Sequence, residues 1–247
     1  PLSSRAATGP PFDRQAIRKA AVFRALKLGD MLCATPLLRA IRGGFPAAEI
    51  VLVGLPWARE FARRFSRYVD SFRAFPGYPG LPELAPAPGA VEAFFRAMRD
   101  ESFDLVLQCH GSGAVSNQVT GRFGARYVAG LVAPGARPPR TGLFEPYPDE
   151  GLEIRRLLRL ARRLGVEPRG EELEFPIHDD ERAEAARLLA ARRRSKGPYA
   201  CVHAGASVPE RRWPVERFAA VADALADRGV EVVLTGSADE APLTAEA

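Results

Sequence analysis

The alternation of short, continuously apolar segments with amphipathic segments is the feature that most constrains this chain. Residues 50–53 read Ile-Val-Leu-Val, and further strands are predicted at 104–108, 199–202 and 230–234. Residues 152–164 instead carry leucines at helical spacing. Strands that are buried on both faces of a parallel sheet are uniformly apolar, and helices connect them. The alternation therefore predicts an α/β fold with doubly wound parallel sheets.

Local signals refine this outline at the start and middle of the chain. The first strand is predicted at 20–26, and one helix is predicted to follow it as far as Arg42. Pro36 fits this helix best at its first position, with Thr35 as the cap. Residues 133–148 are rich in proline and glycine, so we expect no regular element there.

A polar segment at 167–176 predicts a linker between two domains, residues 1–175 and residues 176–247. Only two strands are predicted in the second domain, whereas a doubly wound domain has about four to six. Either the chain is truncated within its second domain or the second unit is a small appendage, and we expect the first. We also expect this 247-residue chain to be inactive on its own.

Composition excludes several classes of protein. Of the 247 residues, 47% are hydrophobic and 26% are charged, which is typical of a globular protein. No apolar run approaches the ~20 residues of a membrane span. The 3 cysteines are widely spaced, which argues against a disulfide framework and favours a reducing compartment. The net charge of +5 suits anionic small molecules or a membrane surface and does not require nucleic acid.

Candidate binding loops follow from the rule that ligands of open parallel sheets bind beyond the carboxyl ends of the strands. The rule selects residues 28–30, 110–113, 203–207 and 235–237, which are rich in Gly, Ser and Thr. Backbone amides of such loops can approach an anion closely. None of the loops matches a G-x-G-x-x-G or P-loop motif, and no spacing of His, Cys or carboxylates predicts a metal site.

Individual residues in these loops allow two interpretations each. Asp30 is either a helix N-cap, which is the commoner use of Asp before a helix, or a general base at the mouth of the sheet. Arg211 either belongs to a solvated basic turn or binds phosphate oxygens. His110 and His203 each follow a predicted strand, and a lone histidine is more often structural than catalytic.

Three motifs in this order resemble glycosyltransferase family 9, the ADP-heptose:lipopolysaccharide heptosyltransferases. The first is Leu-Lys-Leu-Gly-Asp at 26–30, followed by Thr-Pro-Leu-Leu-Arg-Ala-Ile-Arg at 35–42. The second is His-Ala-Gly-Ala-Ser at 203–207 with Arg-Arg-Trp-Pro at 211–214. The third is Val-Val-Leu-Thr-Gly-Ser at 232–237 with Glu240. Residues 104–112 and 124–126 are similar to the middle segment of the family.

The resemblance implies a GT-B fold of two Rossmann-like domains, an N-terminal acceptor domain and a C-terminal nucleotide-sugar domain. It implies an inverting transfer without a metal, in which Asp30 is the catalytic base. Arg211, where the family often has lysine, would contact the donor phosphates, and Glu240 the donor ribose. The donor-binding residues implied are Gly205, Ala206, Ser207, Arg211, Thr235, Gly236 and Glu240. The acceptor-binding residues implied are His110 and Ser112.

The same resemblance implies ADP-heptose as co-substrate, no separate cofactor and an anionic, lipid-linked glycan as acceptor. It also implies a cytoplasmic protein that can contact the membrane peripherally, with no nucleic-acid partner. The family's Gly-Pro-Met-His-Leu-Ala-Ala-like segment, which closes over the donor, is absent, so we expect an incomplete donor pocket. Two alternatives stay open: a non-catalytic nucleotide-binding module, and a GT-B transferase that uses a UDP-sugar.

Overall fold

The computed structural model describes residues 10, 12–139, 141–148, 150–192, 197–206 and 208–246. The chain divides into two compact units, Pro1–Pro176 (unit 1) and Ile177–Ala247 (unit 2). Each unit contains its own parallel sheet, as the alternating sequence pattern predicts.

Unit 1 is built on a six-stranded parallel sheet with the order β3-β2-β1-β4-β5-β6. Its strands are β1 (Lys19–Phe23), β2 (Glu49–Gly54), β3 (Ser71–Ala74), β4 (Leu105–Gln108), β5 (Tyr127–Val132) and β6 (Leu143–Pro146). The chain moves outward from β1 to β3 on one side and from β4 to β6 on the other. The direction of winding therefore reverses between β1 and β4, and such a switch point opens a crevice at the carboxyl ends of the two strands.

Helices cover both faces of this sheet. They are α1 (Leu28–Cys33), α2 (Thr35–Gly44), α3 (Ala58–Arg64), α4 (Ala90–Asp100), α5 (Ser116–Gly121) and α6 (Glu153–Arg163). Helices α2, α3 and α6 pack on the face formed by residues such as Val22 and Leu52. Helices α4 and α5 pack on the opposite face, where Phe23 and Val53 lie in an aromatic cluster with Phe123. Burial on both faces explains why the strands are continuously apolar.

The structure corrects three local predictions in unit 1. The single helix predicted up to Arg42 is two helices that meet at Ala34, the N-cap of α2, so Thr35 is the first helical residue and not the cap. The first strand ends at Phe23 and not at residue 26. Strand β6 lies within residues 133–148, where no element is predicted. It is the edge strand of the sheet, a place where the proline at its end is tolerated.

Unit 2 contains a parallel pair of strands, β7 (Tyr199–His203) and β8 (Glu231–Thr235). Its helices are α7 (Asp179–Arg192), α8 (Val215–Ala226) and α9 (Ala241–Glu246). Among the residues of unit 2 that the structure describes, only Ala204 is a buried hydrophobic residue. A gap of about 460 Å³ separates Leu188 on α7 from Tyr199 and Val233 on the sheet. The described part of unit 2 is therefore sparsely packed.

None of the helices in the described ranges has the length and apolar character needed to span a bilayer.

Candidate functional site

The switch point of unit 1 brings together the segments that follow β1 and β4. β1 and β4 pair from Ala20 with Leu105 to Phe23 with Gln108, so the chain leaves both strands at the same level. The segment after β1 leads into α1, which carries Asp30, and the segment after β4 contains His110. The rule for open sheets therefore selects the same two residues in the structure as in the sequence.

Asp30 is exposed and is the third residue of the six-residue helix α1. The prediction that it caps the helix is wrong: the N-cap is Lys27, which makes no side-chain capping bond. A carboxylate in the first turn still interacts favourably with the helix dipole. Since its side chain is not committed to a cap, Asp30 presents its carboxylate at the carboxyl edge of the sheet.

Arg24 is a buried cation directly behind Asp30, and the motifs in the sequence do not point to it. Its guanidinium Nε donates to the carbonyl of Asp30 at 2.9 Å, and Nη1 donates to the carbonyl of Cys109. Its Nη2 lies 3.0 Å from Oε1 of Glu153 at the start of α6. A buried charge needs such partners, because an unpaired one is very costly.

His110 is almost fully buried, and its ring stacks on Phe23 with centroids 5.5 Å apart. Its Nδ1 accepts the backbone N–H of Ala25 at 3.2 Å, so in the neutral ring the proton lies on Nε2. Nε2 lies 3.5 Å from Oε1 of Glu83, a residue of the proline-rich loop before α4. Burial lowers the pKa of His110 below its ordinary value, although the negative charges of Glu83 and Asp30 act to raise it.

A buried polar network fixes the loop that carries His110. Nε2 of Gln108 donates to the His110 carbonyl and to Oγ of Ser116, both at 2.6 Å. Oε1 of Gln108 accepts the N–H of Leu131 at 2.9 Å. Because every polar group of the Gln108 amide is used, the network holds this loop rigidly against β5.

A cavity of about 410 Å³ lies at the carboxyl ends of β4 and β5. Its polar lining includes Ser112, Asn117, Gln118 and Arg137. The Oδ1 atom of Asn117 is buried without a hydrogen-bond partner, while its Nδ2 donates to the carbonyl of Leu131 at 3.0 Å. Among the described residues, the lining therefore offers the polar groups of Ser112 and Gln118 and the cation of Arg137 beside the switch point.

The carboxyl edge of the unit 2 sheet gathers most of the predicted donor-binding residues. Nδ1 of His203 donates to the Thr235 carbonyl at 2.9 Å, which links the ends of β7 and β8. Glu240 accepts hydrogen bonds from the backbone N–H and the hydroxyl of Ser237 at 2.8 and 3.0 Å. These bonds lower the pKa of Glu240 and hold its carboxylate against Gly205.

Gly236 and Ala206 also lie at this edge of the sheet. Gly236 packs against Glu240 and Thr244, and a Cβ at this position would lie 3.3 Å from the Cβ of Glu240. The carbonyl of Ala206 accepts a hydrogen bond from Nε of Arg212 at 2.9 Å. The predicted donor residue Ser207 lies outside the described residues.

Arg211 and Arg212 differ in what they contact. Arg212 is bound to the small-residue loop through the Ala206 carbonyl, a contact that the sequence motif does not predict. Arg211 ends the short 3-10 turn Pro209–Arg211, is exposed, and makes no side-chain hydrogen bond or ion pair with the described residues. Its guanidinium is thus available to a ligand, whereas that of Arg212 shapes the loop.

The described residues contain no group of three or more His, Cys, Asp or Glu side chains that could hold a metal ion.

A family model described as glycosyltransferase family 9 (heptosyltransferase) matches residues 91–247, well over half of the chain. Comparison with curated protein sequences gave no match. Among solved structures, the glycosyl transferase family 9 protein from Veillonella parvula superposes with a TM-score of 0.73 at 19% identity. That superposition covers 96% of this chain and 67% of the other.

Two Escherichia coli proteins are also similar in structure. ADP-heptose lps heptosyltransferase II has a TM-score of 0.64 at 20% identity, over 91% of this chain and 66% of that one. Heptosyltransferase WaaC with ADP-2-deoxy-2-fluoro heptose has a TM-score of 0.59 at 19% identity, over 91% and 71%. The chain thus spans about two thirds of the length of these relatives. The likenesses confirm the predicted GT-B fold.

Proposed function

Because the chain belongs to glycosyltransferase family 9, we propose that the protein transfers a heptose or a related sugar from a nucleotide-sugar donor to a lipopolysaccharide-type glycan. The observation that carries the proposal is the exposed Asp30 carboxylate at the switch point of unit 1. A carboxylate in this position can accept a proton from a sugar hydroxyl.

The proposed donor site is the carboxyl edge of β7 and β8. The amides around Gly205 and Gly236 can approach phosphate oxygens closely, and Arg211 supplies an uncommitted cation. Hydrogen bonds from Ser237 favour the ionised form of Glu240, which can accept hydrogen bonds from ribose hydroxyls. The related WaaC was solved with ADP and with an ADP-heptose analogue, which supports an adenosine diphosphate sugar as donor.

The proposed acceptor site is the switch point together with the 410 Å³ cavity beside it. Ser112 and Gln118 suit the hydroxyls of a glycan, and Arg137 suits an anionic substituent. Such an acceptor, if anchored to lipid, would bring the protein to the cytoplasmic face of a membrane as a peripheral partner.

In the proposed reaction, Asp30 takes the proton of an acceptor hydroxyl while the hydroxyl oxygen attacks the anomeric carbon of the donor. The new glycosidic bond forms as the bond from the anomeric carbon to the diphosphate breaks, which inverts the configuration. Negative charge grows on the leaving diphosphate. Arg211 and the nearby amides would stabilise that charge, so the proposal requires no metal.

Transfer assays on the full-length protein test this proposal. We expect ADP-heptose and a phosphorylated, lipid-linked glycan to give product, and a UDP-sugar to give little. If only the UDP-sugar gives product, the donor is a UDP-sugar and not ADP-heptose. Binding of ADP without turnover on any acceptor would instead identify a non-catalytic nucleotide-binding module.

A further inference from the structure

Arg24 has the most buried charge in unit 1. Of the Lys, Arg, Asp and Glu residues that the structure describes, only Arg24 is classed as buried, with a side-chain exposure of 1%. All three guanidinium nitrogens have an acceptor: the carbonyls of Asp30 and Cys109, and the carboxylate of Glu153. Such a fork of fixed donors is a geometry that only arginine provides.

The three acceptors belong to three different elements. Asp30 is part of α1, Cys109 directly follows β4, and Glu153 is the first residue of α6. Glu153 is itself held by the hydroxyl of Tyr147, which donates to its Oε2 at 3.1 Å. The guanidinium therefore ties α1 to both neighbours at the switch point of the sheet.

Besides Arg24, helix α1 is held by Leu32, which packs against the core, and by the Thr35 hydroxyl, which donates to the Leu32 carbonyl at 2.9 Å. It contains six residues, of which only Met31 is buried, and its N-cap Lys27 makes no side-chain capping bond. A helix this short is unstable by itself, so its position depends on tertiary contacts. The bond from Arg24 to the Asp30 carbonyl is such a contact, and it acts on the residue that carries the exposed carboxylate.

We propose that Arg24 is a positioning residue for Asp30: it sets the placement of α1, and through it the direction of the Asp30 carboxylate. The catalytic part of this inference rests on the proposed function. The structural part, that Arg24 orders α1, does not.

Arg24→Lys tests the inference with the least damage to the fold. Lysine retains the positive charge opposite Glu153 but cannot reach three acceptors that lie in different directions. In the full-length protein we expect kcat to fall roughly 10- to 100-fold while the KM for the donor changes less than about twofold, because a misplaced base affects chemistry and not donor binding. The amides of Met31 and Ala34 should exchange about tenfold faster or more, since α1 opens more often.

Arg42→Lys is the matched control. Arg42 also donates to two carbonyls, those of Ala48 at 2.9 Å and Tyr68 at 3.3 Å, and pairs with the carboxylate of Asp70. These groups precede β2 and β3, so they lie at the amino ends of the strands, opposite α1. We expect Arg42→Lys to leave kcat and the exchange of α1 unchanged.

Glu153→Gln separates positioning from stability. This variant weakens the ion pair but leaves the bond to the Asp30 carbonyl possible, so it should lower the unfolding temperature with a smaller loss of kcat than Arg24→Lys. If kcat falls in proportion to the loss of stability in both Arg24→Lys and Glu153→Gln, the positioning role is overturned. Unchanged exchange of α1 in Arg24→Lys would also overturn it. An absence of transfer activity in the parent protein would refute the proposed function, and the exchange data would still decide the role of Arg24.

Discussion

Glu153→Ala should destabilise unit 1 strongly because it leaves a fully buried cation without its carboxylate. The Arg24 side chain is 1% exposed and the Glu153 side chain 21% exposed, so the guanidinium would lose its carboxylate in a poorly hydrated position. Breaking a buried ion pair from one side costs about 3–5 kcal/mol. Since the Asp30 and Cys109 carbonyls still accept from Arg24, we expect a loss near the lower bound, about 3 kcal/mol.

Glu145→Ala is the matched control for this substitution. Its carboxylate is 24% exposed, close to the value for Glu153, but it pairs with Arg159 at 3.9 Å and Arg163 at 3.5 Å, whose side chains are 45% and 33% exposed. Exposed pairs contribute about 0–1 kcal/mol. The comparison therefore tests the burial of the cation as the main cause of the larger effect, to which the lost hydrogen bond from the Tyr147 hydroxyl adds.

Urea unfolding followed by tryptophan fluorescence measures both losses. The chain has 2 tryptophans, Trp57 in unit 1 and Trp213 in unit 2, so a Trp213→Phe background reports on unit 1 alone. Equal slopes with denaturant in all variants would allow the free energies of unfolding to be compared directly. Losses that agree within about 0.5 kcal/mol for Glu153→Ala and Glu145→Ala would refute the reasoning from burial.

Three further outcomes are expected. Arg211→Ala should weaken ADP binding by about 1.5–3 kcal/mol, or roughly 10- to 150-fold, whereas Arg228→Ala at the amino end of β8 should not; equal affinities by calorimetry would make Arg211 a solvated turn residue. Because burial lowers the pKa of His110, its contribution to the free energy of unfolding should be fully present above about pH 6.5 and be lost as the pH drops through the folded pKa. His110→Gln should flatten this dependence in unfolding curves measured between about pH 4 and 8. Amides of β7 and β8 should exchange faster than those of the unit 1 sheet, since unit 2 has few buried side chains; uniformly slow exchange would contradict its sparse packing.

The parts of the fold that could be predicted are those set by local pattern. Residues 50–53 lie in β2, as a short, continuous apolar run that is rich in β-branched residues predicts for a strand buried on both faces. The capping preference of Asp pointed to the wrong position, since α1 begins at Leu28, two residues before Asp30. Strand β6 was missed because Leu143–Pro146 is short, lies in a Pro/Gly-rich stretch and gains its stability from pairing with β5.

Parts of the candidate site could not be predicted because they depend on contacts between distant segments. Arg24 directly follows a buried strand, which marks it as unusual, but its acceptors lie up to 129 residues away. Glu83 lies in a proline-rich loop without a local signal, and only the fold brings it to His110. The difference between Arg211 and Arg212 likewise depends on which guanidinium reaches the Ala206 carbonyl.

The turnover of Asp30→Asn in the full-length protein tests the central claim most directly. Asparagine retains the size of the side chain but cannot accept the proton, so we predict that turnover falls about 10²–10⁴-fold while donor affinity is unchanged. Asp100→Asn, an exposed change at the end of α4, is the control and should leave turnover as it was. Near-normal turnover in Asp30→Asn would contradict the assignment of Asp30 as the general base.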